Sequence, residues 1–163
     1  MYTVGIITAS DKGSQGKRKD VSGPTIKEII EKDNYKVIEY TIVPDEKDEI
    51  KRAIIDMIDN KSIDLVLTTG GTGFSKRDVT PEATKEVIEK ETPGISEGIR
   101  NFSFQITPKA MLSRAASGIR KNSLIINMPG SPKAVRESLE YLLQSLTHGI
   151  DILKGNDSEC AEE

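Results

Sequence analysis

The sequence predicts an α/β fold: a single compact domain of three layers, α/β/α, built on a mainly parallel sheet. Three observations predict it. Short apolar runs rich in β-branched residues alternate with amphipathic stretches at helical spacing. Helix starts are marked by a capping residue beside a proline that suits a first turn. Polar or glycine-bearing segments follow the apolar runs, the place where open parallel sheets bind ligands. A βαβ alternation implies right-handed crossovers and helices on both sheet faces.

In chain order, Val4–Ile7, Val37–Val43, Ile63–Leu67 and Leu124–Met128 have strand length and composition. Between them, Ile26, Ile29 and Ile30 fall on one helical face, as do Ile50, Ala53, Ile54, Met57 and Ile58. Val135, Leu139, Leu142 and Leu146 form a third such stripe near the end. Ser22 with Pro24, Thr80 with Pro81 and Ser131 with Pro132 are the expected starts. From Pro93 to Arg120 the pattern is weaker: Ile95, Ile99 and Phe102 suggest one helix, and Pro108 to Arg114 a shorter one. Ser117–Arg120 reads as an edge strand turning at Lys121 and Asn122.

The chain has 163 residues, 36% hydrophobic and 30% charged, within the usual range of one domain with its own core. The only cysteine, Cys160, sits among acids in a polar tail, so no disulfide framework exists. No basic leader precedes the first strand and no apolar run approaches the roughly 20 residues of a membrane span, so a reducing cytoplasm is expected, with no membrane association. A net charge of −3 argues against broad nucleic-acid binding. The expected domain is 1–155, with 156–163 a polar acidic tail.

The most informative stretch is the loop after the third apolar run. Gly70, Gly71 and Gly73, with Thr72 between, let backbone amides approach a ligand without Cβ atoms in the way, and clustered amides suit an anionic oxygen. The spacing is neither the dinucleotide fingerprint nor a Walker A loop. The other strand ends carry Ser10 and Asp11, Pro44 and Asp45, and Pro129, Gly130 and Ser131. Their convergence would bring carboxylates beside a phosphate cradle. Two carboxylates plus phosphate oxygens are a usual way to hold Mg2+, so Asp45 and Asp78 are the candidate metal and catalytic pair.

Plainer roles stand beside these. Asp45 is placed to cap a helix, Asp78 to complement a helix dipole, and Asp11 to make an Asx turn. Ser131 suits both a cap and an anion site. The cations Lys12, Lys17, Arg18 and Lys19 suit either a solvated surface or a lid over a polyphosphate. In the sequence no cysteine or other histidine stands at metal-ligand spacing from His148, which favours a structural role and leaves no Ser-His-Asp triad to assign.

The run Thr69 to Thr84, TGGTGFSKRDVTPEAT, resembles the signature of the MogA/MoaB family of molybdenum cofactor biosynthesis, shared with adenylylating domains of plant and animal molybdenum-insertion proteins. Val4–Asp11, Val43–Glu46, Met111–Ala115 and Asn127–Ala134 resemble family segments in the same order, and the likeness covers about Tyr2 to Gly155. It implies a molybdopterin adenylyltransferase, which transfers AMP from ATP to the terminal phosphate of molybdopterin and releases pyrophosphate with Mg2+. By resemblance Asp45 and Asp78 carry catalysis and metal, and the Gly71–Gly73 loop matches the nucleotide and pterin pocket. Asp11, Arg114 and Ser131 are further substrate-binding positions carried over. The resemblance also implies a homotrimer, with a molybdenum-insertion protein as a partner.

Two other classes remain open: a non-catalytic molybdopterin-binding or scaffold module of the same fold, and a nucleotide pyrophosphatase related to competence-damage proteins. The second normally carries another domain, for which this length leaves no room.

Overall fold

The computed structural model describes residues 1–156. Residues 157–163, Cys160 among them, lie outside the described residues. Among the described residues six strands and six helices follow in order: β1 (Tyr2–Ala9), α1 (Asp11–Ser14), α2 (Ser22–Ile30), β2 (Tyr35–Val43), α3 (Lys47–Ile55), β3 (Leu65–Thr69), α4 (Thr80–Val87), β4 (Lys90–Glu91), α5 (Pro93–Phe104), β5 (Ser117–Arg120), β6 (Ser123–Met128) and α6 (Pro132–Leu153). The stripe of α3 runs on through one π turn, Asp56–Asn60, which buries Met57 and Ile58. A 3-10 turn, Pro108–Leu112, stands where the sequence predicts a short helix.

The sheet order is β2-β1-β3-β6-β5-β4. The first four strands are parallel, and β5 and β4 pair antiparallel beyond them. Strand alternation divides the core. Ile6, Leu65, Leu67 and Ile126 face α2, α5 and α6, packing with Ile26, Ile30, Ile99 and Leu139. Ile7, Val66 and Ile125 face the other way, onto Ile50, Ile54, Met57, Ala83 and Val87. Burying each such side chain is worth roughly 1.5–3 kcal/mol, so the two layers hold the parallel strands level and bring their carboxyl ends to one rim.

Three sequence expectations are corrected. Ser117–Arg120 is not the sheet edge: the pair Lys90–Glu91 lies outside it, too short and too polar to show a strand pattern. Ser22 does not cap α2 but lies inside it. Asp20 takes that role, its Oδ1 accepting from the amides of Ser22 and Gly23 at 3.0 and 3.3 Å. Thr80 is the first helical residue of α4 rather than its cap, and its hydroxyl donates to the Gly70 carbonyl at 2.9 Å. Ser131 caps α6 as expected, accepting from the Ala134 amide at 3.2 Å.

Candidate functional site

The glycine loop leaves β3 between β1 and β6. Gly70 has φ +89° and a Cβ there would stand 2.4 Å from the Ala9 carbonyl oxygen; Gly71 has φ +68° and a Cβ there would stand 2.4 Å from Thr80 Oγ1. Both positions demand glycine. Every carbonyl from Gly70 to Gly73 is taken by the protein: Gly70 by the Thr80 hydroxyl, Gly71 by the Thr80 amide at 3.1 Å, Thr72 by the Arg114 amide at 2.9 Å, and Gly73 by Arg114 Nε at 2.7 Å. Among the described residues the amides of Gly71, Thr72 and Gly73 donate to no backbone or side-chain acceptor. With its acceptors turned into the fold and its donors left over, the loop has a donor set suited to an anionic oxygen.

Three aspartates from three strand ends meet beside it. The Asp11 amide donates to Asp45 Oδ2 at 2.9 Å and the Asp45 amide returns to Asp11 Oδ1 at 3.0 Å. Asp45 therefore does not cap α3, whose first turn has no side-chain cap. Asp78 holds its own turn, its Oδ2 accepting from the Ser75 amide at 2.9 Å. Burial pushes the Asp45 carboxyl above the ordinary carboxylate value; the Asp11 amide opposes this, while the charges of Asp11 and Asp78 add to it. Asp11 moves the other way, because the Arg77 guanidinium grips it through Nε and Nη2 at 3.0 and 2.9 Å.

The residues suit Mg2+ by donor chemistry. Asp45 and Asp78 each spend one oxygen on a loop amide, and among the described residues the other oxygen takes no hydrogen bond. A Cβ on Gly71 would come 3.2 Å from Asp45 Oδ1 and one on Gly73 2.9 Å from Asp78 Oδ2, so both carboxylates border the glycine loop. Among the described residues no group of three or more histidine, cysteine, aspartate or glutamate side chains is placed to hold a metal ion. Mg2+ is commonly held in this way, by one or two carboxylates with substrate phosphates and waters completing the shell.

Two cavities flank the loop. The larger, about 450 Å3, is lined by Ser10, Arg18, Lys19, Gly70 and Ser131 among others, with Asp20 beside them. Asp20 is a residue the sequence reading missed. Its Oδ2 accepts from Thr8 Oγ1 at 2.6 Å and the Tyr40 hydroxyl at 2.5 Å, which raises the Tyr40 pKa through burial and this bond. Its position two residues before a proline-bearing helix start was the available signal. The smaller cavity, about 210 Å3, includes Thr72, Arg100, Lys109 and Pro129. Gly130 borders both. Its carbonyl is fixed by the Ser22 hydroxyl at 2.8 Å, and that of Pro129 by Thr69 Oγ1 at 2.6 Å.

Of the predicted binding residues, Ser10, Gly70, Gly130 and Ser131 thus line the larger cavity, Thr72 and Gly130 the smaller, and Gly71 and Gly73 lie in the loop that the two carboxylates border. Ser10 also caps α1, accepting from the Gly13 amide at 3.0 Å. Arg114 is placed differently. Besides Gly73, it donates through Nη2 to the Asp78 carbonyl at 2.7 Å and pairs with Glu82 through Nη1, so its guanidinium braces the loop. Of the four cations in the first loop, Arg18 and Lys19 line the larger cavity.

Unspent loop amides beside two carboxylates, at the carboxyl ends of parallel strands and between two cavities, mark an α/β protein whose strand-end loops are chemically suited to phosphorylated ligands. Residues 5–148 match the family model described as a probable molybdopterin binding domain, and the chain belongs to that family. It is 44% identical over 162 residues to the molybdopterin adenylyltransferase of Helicobacter pylori strain J99, covering 98% of this chain and 92% of that protein. It is 39% identical to the molybdopterin adenylyltransferase of Escherichia coli K12, covering 90% of this chain and 78% of that one. The solved structure of the molybdopterin biosynthesis enzyme MoaB from Thermus thermophilus superposes with a TM-score of 0.91 at 44% identity, over 95% of this chain and 98% of that one.

Proposed function

We propose that this chain is a molybdopterin adenylyltransferase of molybdenum cofactor biosynthesis, a nucleotidyltransferase that moves AMP from ATP to the molybdopterin phosphate and releases pyrophosphate. The observation that carries this reading is the glycine loop, whose amides at Gly71, Thr72 and Gly73 are unspent, bordered by two carboxylates and lying between two cavities. The names of relatives at 39–44% identity support it.

The molybdopterin phosphate oxygen attacks the α-phosphorus of ATP, the bond to the bridging oxygen of pyrophosphate breaks, and no covalent enzyme intermediate is needed. The protein's task is to align two anions and stabilise the charge between them. Two compartments sharing Gly130 seat two substrates with their phosphates meeting at the loop. The amides of Gly71, Thr72 and Gly73 donate to phosphate oxygens, and Arg18 and Lys19 offset the charge of the larger compartment's occupant. Asp45 and Asp78 would hold Mg2+, which when bound neutralises phosphate charge during the transfer.

A cytoplasmic location belongs to this proposal; among the described residues no helix is long and apolar enough to cross a membrane. So do the homotrimer, supported by exposed apolar Phe104, Ile106, Met111 and Leu112 along one stretch of chain, and hand-over to a molybdenum-insertion protein.

The test mixes the purified chain with molybdopterin, labelled ATP and Mg2+, and looks for adenylylated molybdopterin and pyrophosphate. Both products are expected. Pterin binding without either would make the chain a non-catalytic binding module.

A further inference from the structure

Arg77 is the hub of the rim, yet it lines neither cavity. Its Nε and Nη2 donate to both oxygens of Asp11, and its Nη2 also lies 2.7 Å from Glu46 Oε1. Asp11 in turn exchanges two amide-to-carboxylate bonds with Asp45, each backbone N–H donating to the other's side chain. One guanidinium on the loop after β3 thereby grips the loops after β1 and β2. It does so from the residue immediately before Asp78. Asp45 and Asp78 belong to separate loops and carry like charges, so holding the two close works against their repulsion. A planar guanidinium held by two parallel bonds opposes that motion with a fixed geometry that a lysine ammonium cannot reproduce.

We propose that Arg77 is a positioning residue for adenylyl transfer: acting through Asp11, it sets the placement of Asp45 relative to Asp78. The assignment rests on the proposed activity. Arg77 does not serve as a phosphate ligand, because its charged contacts go to carboxylates of its own chain. The clamp orders the rim without carrying the fold, since the side chain is 53% exposed and such pairs add little to stability.

The test is a double-mutant cycle of Arg77→Ala and Asp11→Ala, with Arg77→Lys, followed by steady-state kinetics and by hydrogen exchange at the amides of Asp11 and Asp45. Arg77→Ala should lower kcat roughly 10- to 100-fold while each KM moves less than about threefold, as expected for a misplaced catalytic group. Arg77→Lys should recover only part of the loss. Asp11→Ala should cost as much, and the double variant no more than either single change. The two amides should exchange roughly tenfold faster in Arg77→Ala. A raised KM for ATP at unchanged kcat, or additive losses, would overturn the proposal in favour of a direct phosphate contact or an unconnected role. Should the native chain transfer no AMP, the activity reading fails; unchanged exchange in Arg77→Ala would separately show that no clamp exists.

Discussion

The two ends of the parallel strands each carry an aspartate network, and the networks are built to opposite ends. At the amino ends Asp64 is buried and fully answered: it accepts from the Thr3 amide at 2.8 Å and the Thr3 hydroxyl at 2.9 Å, and pairs with Lys154 near the end of α6. Burial alone would raise its pKa, but Lys154 and Thr3 outweigh that and hold the carboxyl below the ordinary range. At the carboxyl ends Asp45 has one amide and two neighbouring carboxylates, and the nearest cation grips Asp11 instead. The same residue type closes the fold at one rim and is left under-compensated at the other. Such unrelieved charge is characteristic of sites that recruit a counter-ion or substrate.

The largest effect that sharpens this contrast is at Asp78. Asp78→Asn should lower AMP transfer at least roughly 100-fold, because charge stabilisation in the transition state is lost, while the unfolding midpoint barely moves. A comparable loss of folding stability would break the contrast. Next comes Asp64→Ala, which strips the Thr3 amide and hydroxyl of their acceptor; denaturant unfolding should show a loss of about 2–3 kcal/mol with the transfer rate per folded molecule unchanged. Gly70→Ala belongs to both categories. Its Cβ would meet the Ala9 carbonyl at 2.4 Å in a left-handed backbone, so it should cost roughly 1–3 kcal/mol and also distort the glycine loop, visible as weakened nucleotide binding in titration calorimetry.

The smallest effect is in the pH dependence of stability, where the two rims should differ in sign. The depressed pKa of Asp64 supplies stability present above the ordinary value of 3.8 and lost as pH falls below it. The raised pKa of Asp45 supplies stability present below 3.8 and lost as pH rises through its folded value. Asp64→Asn should therefore weaken the protein least in acid, and Asp45→Asn should stabilise it most near neutrality. Chemical denaturation across pH in the two variants checks the signs.

Much of this architecture is legible in the chain. The four parallel strands announce themselves through β-branched runs, and the rule that ligands gather beyond their carboxyl ends is enough to assemble Asp11, Asp45, Asp78 and the glycines. What escapes is information held in partners distant in sequence. Nothing local in the sequence shows that the Arg114 guanidinium also rests on the Gly73 and Asp78 carbonyls. Ser22 looks like a cap because the hydroxyl stands beside a proline, but Asp20 reaches the same amides from outside the helix. Lys90–Glu91 has no alternation to detect, since both residues are exposed and their strand identity comes only from pairing with β5. Asp64 carries no local mark of its role either; its partners Thr3 and Lys154 lie at opposite ends of the chain.

The most direct test of the division of labour compares Asp45→Asn with Asp64→Asn, recording AMP transfer and unfolding free energy for each at neutral pH. Asp45→Asn should lose transfer and keep or gain stability, while Asp64→Asn should lose stability and keep transfer. Loss of both properties in both variants, or transfer that survives Asp45→Asn, would contradict that division.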